Sequence, residues 1–422
     1  MPDLLAELEW RGFVHHATRD LGAYLAAGRR TLYCGFDPTA PSLQLGNLMP
    51  IMLLRQFQLA GHRPIALMGG GTGMIGDPSG KPDERPLLSP EQIRANLHRM
   101  RDQMARLLDF DPGPAQALVL NNADWLLEQR VVTFLRDVGK HFTVNIMLQK
   151  ESVQARLEGG LSYTEFSYML LQAYDFLHLF GERQCTIQVG GSDQWGNITA
   201  GIDLIRRVKG GEAHGLVAPL VTTASGAKFG KTEAGAIYLD PSVTSTYKFY
   251  QFWFNVDDGH VESYLKLFTV LPRAEIDELM RTHKKDPSQR EAQRTLAAAV
   301  TGMVHGKAAP ESAKVVNAIL FSDLDPRSVD ASALALLAQE IPTALVASRD
   351  GLSLVDAVVS AGLAKSKSEA RRQIEQGGIY VNQQRVKDPA RNVEPGDWLG
   401  GGNLLLRKGK KDYALLRLQG AP

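Results

Sequence analysis

TLYCGFDPTAPSLQLGN, Thr31–Asn47, sets the pattern for the amino-terminal half of the chain. Its opening run, TLYCGF, is apolar or small throughout, as in a strand buried on both faces, and too short for a helix. A loop of Pro, Ser, Thr and Gly follows, and a helical pattern then begins near Leu48 and runs to Ala60. The same arrangement recurs at Arg63–Gly70 (RPIALMGG), Ala117–Asn122 (ALVLNN) and Gln184–Gly191 (QCTIQVGG), each run ending in glycine or a polar residue. Helical patterns over Glu91–Leu108 and Thr164–Phe180 lie between them. This rhythm predicts an α/β fold with a parallel sheet flanked by helices. Ligands of such sheets bind beyond the carboxyl ends of the strands.

The chain has 422 residues, too many for one ordinary core, so two or three domains are expected. A composition of 44% hydrophobic and 22% charged residues excludes a disordered or collagen-like chain. No apolar run reaches the roughly 18 residues a membrane helix needs. The amino terminus, MPDLLAELEWRGFVHH, lacks the basic-then-apolar order of a secretory signal. Cys34 and Cys185 are too few for a disulfide framework or a structural zinc site. A cytoplasmic protein is expected.

Net charge is +1, but it is unevenly spread. Residues 352–422 carry 12 Lys plus Arg against 7 Asp plus Glu, while the other 351 residues carry 35 against 39. A basic tail suits either a solvated surface or a polyanionic partner. From Ser245 to about Ser322 strand signals give way to helical ones such as VESYLKLF and AQRTLAAAVTGMVHG. The expected division is an α/β domain over 1–222, a basic loop region over 223–244 and an all-α domain over 245–325. A connector over 326–351 then leads to a small α+β module over 352–422.

The polar motifs follow strands. Gly71–Gly76, GTGMIG, has the spacing of a dinucleotide-binding turn, but Pro78, Pro82 and Pro86 follow and oppose a helix there. A glycine-rich loop lining some ligand remains. In Thr164–Phe180, Tyr168, Gln172 and Asp175 share one helix face, either as its solvent stripe or as a buried stripe facing a ligand. A buried Asp175 needs a hydrogen-bonding partner, and a substrate phenol would serve. Ser192–Asn197, SDQWGN, places Asp193 and Gln194 at a strand's carboxyl end, with Asn197 a candidate helix cap. Ala227–Glu233, AKFGKTE, sets Lys228 and Lys231 around Gly230, as surface charge or as a phosphate clamp.

In this order the motifs resemble the bacterial-type tyrosyl-tRNA synthetases of the class I family. The likeness runs through YCGFDPTAPSLQLGN, GGGTGMIGDPSGK, FSYMLLQAYDF, GGSDQWGN and KFGKT into the carboxyl-terminal module. It implies a Rossmann-like parallel sheet with a helical insertion, then an all-α domain and a small RNA-binding module. It also implies activation of tyrosine by ATP with magnesium, and transfer of tyrosine to the 3′ end of tRNA by a homodimer.

By the same resemblance, Tyr33 and Asp175 meet the substrate phenol, Asp77, Tyr168 and Gln172 hold its ammonium group, and Gln194 orients it. Cys34, Gly35, Asp37, Gly46, Asn47, Gly191 and Asp193 line the ATP site. Thr39, Gln44, Lys81, Arg85, Lys228 and Lys231 face the leaving pyrophosphate, and Lys231 also touches ATP. No dedicated protein metal site is implied. The segment LSLVDAVVSAGLAKSKSEARRQIEQGGIYVNQQRV, Leu352–Val386, resembles the α-L RNA-binding module shared with a small-subunit ribosomal protein. Lys365, Lys367, Arg371 and Arg372 there are the expected tRNA contacts.

Gln44 and Asn47 depart from the histidines of the family's HIGH signature. An amide donates to phosphate but cannot become cationic. A weakened paralogue is therefore the first rival reading. A nicotinamide oxidoreductase built on GTGMIG and the tryptophan-specific relative are the others.

Overall fold

The computed structural model describes residues 3–79, 88–150, 153, 154, 157, 159–221, 229–232, 235–322 and 324–420. The chain forms two compact units, one of residues 1–240 with 256–296 and the other of 241–255 with 297–422.

The first unit is built on a six-stranded sheet in the order β1-β6-β5-β2-β3-β4. These strands are β1 (His16–Ala17), β2 (Thr31–Phe36), β3 (Arg63–Met68), β4 (Leu118–Asn121), β5 (Cys185–Gly191) and β6 (His214–Ala218). β2 to β6 run parallel, and β1 joins the β6 edge antiparallel. All four strands read from apolar runs are present. The order reverses at β2, which lies between β3 and β5, so the carboxyl ends of β2 and β5 open a crevice at the switch point.

Three helices bring side chains to that crevice. α1 (Leu45–Leu59) is apolar almost all round and buries Leu48, Ile51, Met52, Leu53 and Leu54 beneath the sheet's covering layer. α2 (Tyr163–Arg183) starts at Ser162, whose side chain accepts from Glu165 N–H at 3.2 Å. It packs Met169, Ala173 and Phe176 into a core with Tyr33, Ile65 and Leu67. α3 (Trp195–Lys209) follows β5 after one 3₁₀ turn and ends at Gly210, whose φ of +62° is the left-handed conformation a helix stop uses. The helices Leu4–Arg11, Pro90–Met104, Asp258–Phe268 and Arg273–Lys285 also belong to this unit. A short hairpin, β7 (Lys231–Thr232) with β8 (Gly235–Ala236), follows the KFGKT glycine.

The second unit has a five-stranded sheet in the order β11-β10-β12-β13-β9. Its strands are β9 (Thr343–Val346), β10 (Ile379–Val381), β11 (Gln384–Val386), β12 (Asn403–Lys408) and β13 (Asp412–Leu418). Leu354, Ala357, Val358, Ala370 and Ile374 from two short helices pack on Ile379, Leu404, Leu406 and Leu416 from the sheet. Residues 326–351, expected as a loose connector, instead hold the helix Ala331–Glu340 and the edge strand β9. β9 pairs parallel with β13, and such non-local pairing leaves no short-range trace in sequence. Residues 245–325, expected as one all-α domain, are shared between the two compact units.

Candidate active site

Tyr33 on β2 and Gln188 on β5 are register partners one strand apart. Both are buried, and neither the Tyr33 hydroxyl nor Gln188 Oε1 has a hydrogen-bonding partner among the described residues. Orphaned polar atoms in a core are costly unless something else meets them. Here they stand at the sheet's switch point.

The α2 stripe faces inward. Tyr168 is 6% exposed and Asp175 2%, which decides against a solvent face. Trp125 Nε1–H donates to Asp175 Oδ1 at 2.7 Å, and Asn122 Nδ2–H donates to Oδ2 at 2.9 Å. Burial pushes the Asp175 carboxyl up to about 7; the Asn122 and Trp125 donors pull the other way, and the Asp37 charge adds to the rise. Burial, and next the Asp175 charge, holds the Tyr33 phenol well above its usual range. Tyr33 is thus a protonated hydroxyl, electrostatically coupled to a carboxylate that already has two donors.

Asn122 ties this carboxylate to the GTGMIG loop. Its Oδ1 accepts from Gly71 N–H at 2.8 Å, and its Nδ2–H also reaches Thr72 Oγ1 at 2.9 Å. The Thr72 hydroxyl donates to Asp37 Oδ1 at 3.1 Å, and the Tyr168 hydroxyl donates to Asp37 Oδ2 at 3.3 Å. The network therefore runs Trp125–Asp175–Asn122–Thr72–Asp37–Tyr168. Gly69 permits it, because a Cβ there would overlap the Asp37 carboxylate and crowd the Thr72 hydroxyl. The loop itself is a 3₁₀ turn over Thr72–Met74, not the helix start of a dinucleotide site.

A second network joins Asp77, Gln172 and Gln194. Gln194 Nε2–H donates to Asp77 Oδ2 at 2.8 Å, and Gln172 Nε2–H donates to Gln194 Oε1 at 3.2 Å. Asn197 Nδ2–H donates to Gln172 Oε1 at 3.1 Å and to Gln194 Oε1 at 3.2 Å. Asn197 is not the expected cap; it lies inside α3 and its side chain braces the two glutamines. Asp77 accepts from Gln194 Nε2–H and Ser79 N–H, and a carboxylate held in this way suits a cation.

On the other side of the crevice, Cys34 and Gly35 lie on β2, with Asp37 and Thr39 in the loop beyond it, and Gly191 ends β5. Burial, aided by the Asp193 charge, pushes the Cys34 thiol up to about 12, so it is an uncharged contact and no nucleophile. Gln44 precedes the first residue of α1, with Gly46 and Asn47 in its first turn. Asn47 Oδ1 accepts from Gln44 N–H at 2.9 Å, and Asn47 N–H donates to Gln44 O at 2.8 Å, which fixes the helix start.

The KFGKT glycine lies against this helix start. Gly230 has φ +81°, and a Cβ there would stand 2.8 Å from Leu45 Cβ. Ile237 N–H donates to Gly230 O at 2.8 Å, and Leu45 N–H donates to Ile237 O at 2.9 Å. Phe229 stacks on Phe268 with ring centres 4.9 Å apart and meets Tyr264 edge-on at 5.1 Å. Lys81, Arg85 and Lys228 lie outside the described residues, and Lys231 is described only in its backbone on β7.

In the second unit, Lys365, Lys367, Arg371 and Arg372 are exposed on or just before the helix Lys367–Glu375. Lys367 Nζ already pairs with Asp356 at 2.6 Å.

Sequence reasoning missed Asn122, Trp125, Thr72, Gln188 and Asn197 as parts of the site. The only trace of Asn122 was its place at the polar end of a buried strand.

The model of the tRNA synthetases class I (W and Y) matches residues 26–322, and that of the Tyrosine--tRNA ligase SYY-like C-terminal domain matches residues 334–416. The chain is 52% identical to a tyrosine--tRNA ligase of Roseiflexus castenholzii, over 99% of this chain and 100% of that one. It is 50% identical to the Geobacillus stearothermophilus tyrosine--tRNA ligase, over 98% and 99% of the two chains. Among solved structures, a C-terminally truncated mitochondrial tyrosyl-tRNA synthetase of Aspergillus nidulans superposes with a TM-score of 0.70 at 32% identity. That match covers 76% of this chain and 95% of the other.

Proposed function

The chain belongs to the class I tRNA synthetases of the W and Y family, and from that premise we propose how its residues divide the work. Its activity is that of a tyrosine--tRNA ligase, as in relatives about half identical over nearly the full length. Tyrosine and ATP give tyrosyl-adenylate and pyrophosphate, and tyrosine then passes to the 3′ end of tRNA.

The observation that carries the residue assignment is the pairing of the unpartnered Tyr33 hydroxyl with Asp175. A phenol can accept from Tyr33 and donate to the Asp175 carboxylate, satisfying both. Phenylalanine offers neither group and leaves a buried carboxylate short of a partner. Tyrosine enzymes as a class reject phenylalanine by about 10⁵-fold without editing, and a pocket of this kind accounts for it. Asp77, held by Gln194 and Ser79 N–H, receives the substrate ammonium together with Gln172 and Tyr168.

The tyrosine carboxylate is the nucleophile toward the α-phosphorus, so the protein's part is positioning and charge. Cys34, Gly35, Asp37, Gly46, Asn47, Gly191 and Asp193 receive the nucleotide. Thr39, Gln44, Lys81, Arg85, Lys228 and Lys231 meet the charge that grows on the pyrophosphate. Magnesium enters as MgATP. The close approach of Gly230 to Leu45 supports a lysine loop that works against the start of α1.

The assignment places tyrosine and ATP on residues 1–222, the lysine loop on 223–244 and tRNA contact on 352–422. Exposed Leu127, Val131, Val132, Leu135, Val144, Ile146 and Tyr163 crowd one stretch of the first unit, which supports a homodimer. No helix among the described residues is long and apolar enough to cross a membrane, and we place the reaction in the cytoplasm.

The test is magnesium-dependent ATP–pyrophosphate exchange with tyrosine, phenylalanine and tryptophan offered separately, in the parent and in Tyr33→Phe. Exchange with tyrosine alone, weakened in Tyr33→Phe, supports the assignment. Exchange unaffected by Tyr33→Phe removes the phenol pocket from these residues.

A further inference from the structure

The turn between β10 and β11 is made by Asn382 and Gln383, with φ of +47° and +66°. Two consecutive left-handed residues form the tight hairpin turn in which Asn and Gly are favoured. Asn382 fits that preference. It is fully buried, its Nδ2–H donates to Asp397 O at 2.6 Å, and its Oδ1 accepts from Leu405 N–H at 3.2 Å. Gln383 does not fit it, since a long side chain in the left-handed region is strained where glycine would not be.

The side chain gives the reason for that strain. Gln383 Nε2–H donates to Ile319 O at 2.7 Å and to the Tyr413 hydroxyl at 3.2 Å. The Tyr413 hydroxyl in turn donates to the same Ile319 O at 3.2 Å. Ile319 is fully buried and lies in the last turn of the helix Ala309–Phe321, where carbonyls have no partner within the helix. Two donors from the module, 64 and 94 residues away in the chain, therefore close a helix end outside it.

We infer that Gln383 and Tyr413 form a latch that fixes the carboxyl-terminal module on the end of the helix Ala309–Phe321, so that its basic helix meets tRNA in one orientation. The module moves with its turn because β10 pairs with β12, and the buried Ala370 and Ile374 of the basic helix pack in the same core as Ile379. This inference rests on the reading of that helix as a tRNA contact.

The experiment compares Gln383→Gly, Tyr413→Phe and Arg371→Ala/Arg372→Ala. Glycine is at ease at φ +66°, so Gln383→Gly removes one of the latch's two donors without burdening the turn. Tyrosine-dependent pyrophosphate exchange is expected to stay at the parent level in Gln383→Gly and Tyr413→Phe. In Gln383→Gly the KM for tRNA in aminoacylation is expected to rise about tenfold with kcat little changed. A contact that only stabilised the fold would lower the melting temperature and leave that KM alone. The latch is overturned if KM for tRNA is unchanged in Gln383→Gly and Tyr413→Phe but raised in Arg371→Ala/Arg372→Ala. If the arginine variant leaves it unchanged too, the module is not the tRNA contact and the latch falls with that reading.

Discussion

Asn122 Nδ2–H meets Asp175 Oδ2 at 2.9 Å while Asn122 Oδ1 holds Gly71 N–H at 2.8 Å, so one side chain joins the specificity carboxylate to the glycine-rich loop. Asn122→Ala would break both ends. A hydrogen bond to a charged group contributes about 1.5–3 kcal/mol, and of its two described side-chain donors the carboxylate would keep Trp125. The expected outcome is a tyrosine KM raised at least tenfold in pyrophosphate exchange, with the ATP KM nearly unchanged. An equal rise in both would assign Asn122 to general folding.

The Asp175 carboxyl, pushed up to about 7 mainly by burial, should make specificity depend on pH. Below pH 7 it takes up a proton and becomes a poorer acceptor for a phenol, so discrimination of tyrosine against phenylalanine should fall between pH 8 and pH 6. Stability follows with a definite sign. A folded value raised above the unfolded one means that the Asp175 contribution is fully present below about pH 4 and lost as pH rises through 7. Asp175→Asn should therefore gain on the parent by roughly 2–3 kcal/mol between pH 5 and pH 8 in urea unfolding. It should do so while losing tyrosine activation.

Much of this was legible in the sequence because it rests on local pattern. TLYCGF and QCTIQVGG are apolar runs and became β2 and β5. Tyr168, Gln172 and Asp175 lie at helical spacing, and exposure had only to decide which way the face turned. Asn122 and Trp125 were not legible, since their partner lies 50 or more positions away and only the fold brings them to it. Gln188 was hidden inside a strand that otherwise reads as plain core. The strand β9 was mistaken for connector because its apolar partner, β13, is about 70 residues distant.

Gly230→Ala tests the junction between the lysine loop and α1. The added methyl would meet Leu45 Cβ at 2.8 Å on a backbone at φ +81°. The cost in such a conformation is about 1–2 kcal/mol. Equilibrium binding of tyrosine should be untouched, while the rate of adenylate formation falls at least tenfold in single-turnover stopped flow. A parent-level rate would show that the loop works without this contact.

Gln44→Ala separates the two duties open to that residue. Its backbone already braces α1 through Asn47, and alanine keeps that N–H and carbonyl. Stability should therefore change little. If the amide side chain meets pyrophosphate in the transition state, kcat for activation should fall about 10²-fold, as for loss of one oriented donor. An unchanged kcat would leave Gln44 a spectator and place the whole burden on the lysines.

The four cations of the tail should not be equal. Lys367 Nζ lies 2.6 Å from Asp356, so a phosphate must compete with a carboxylate already in place, whereas among the described residues no ion pair at Arg371 or Arg372 stands in the way. Removing one cation–phosphate pair lowers the salt dependence of binding by about one unit of log slope. Arg371→Ala and Arg372→Ala should each flatten the slope of log Kd for tRNA against log salt by that amount. Lys367→Ala should flatten it by less, and Asp356→Asn should strengthen binding at low salt. An effect of Lys367→Ala as large as that of Arg371→Ala would mean that Lys367 leaves Asp356 for the RNA when the complex forms.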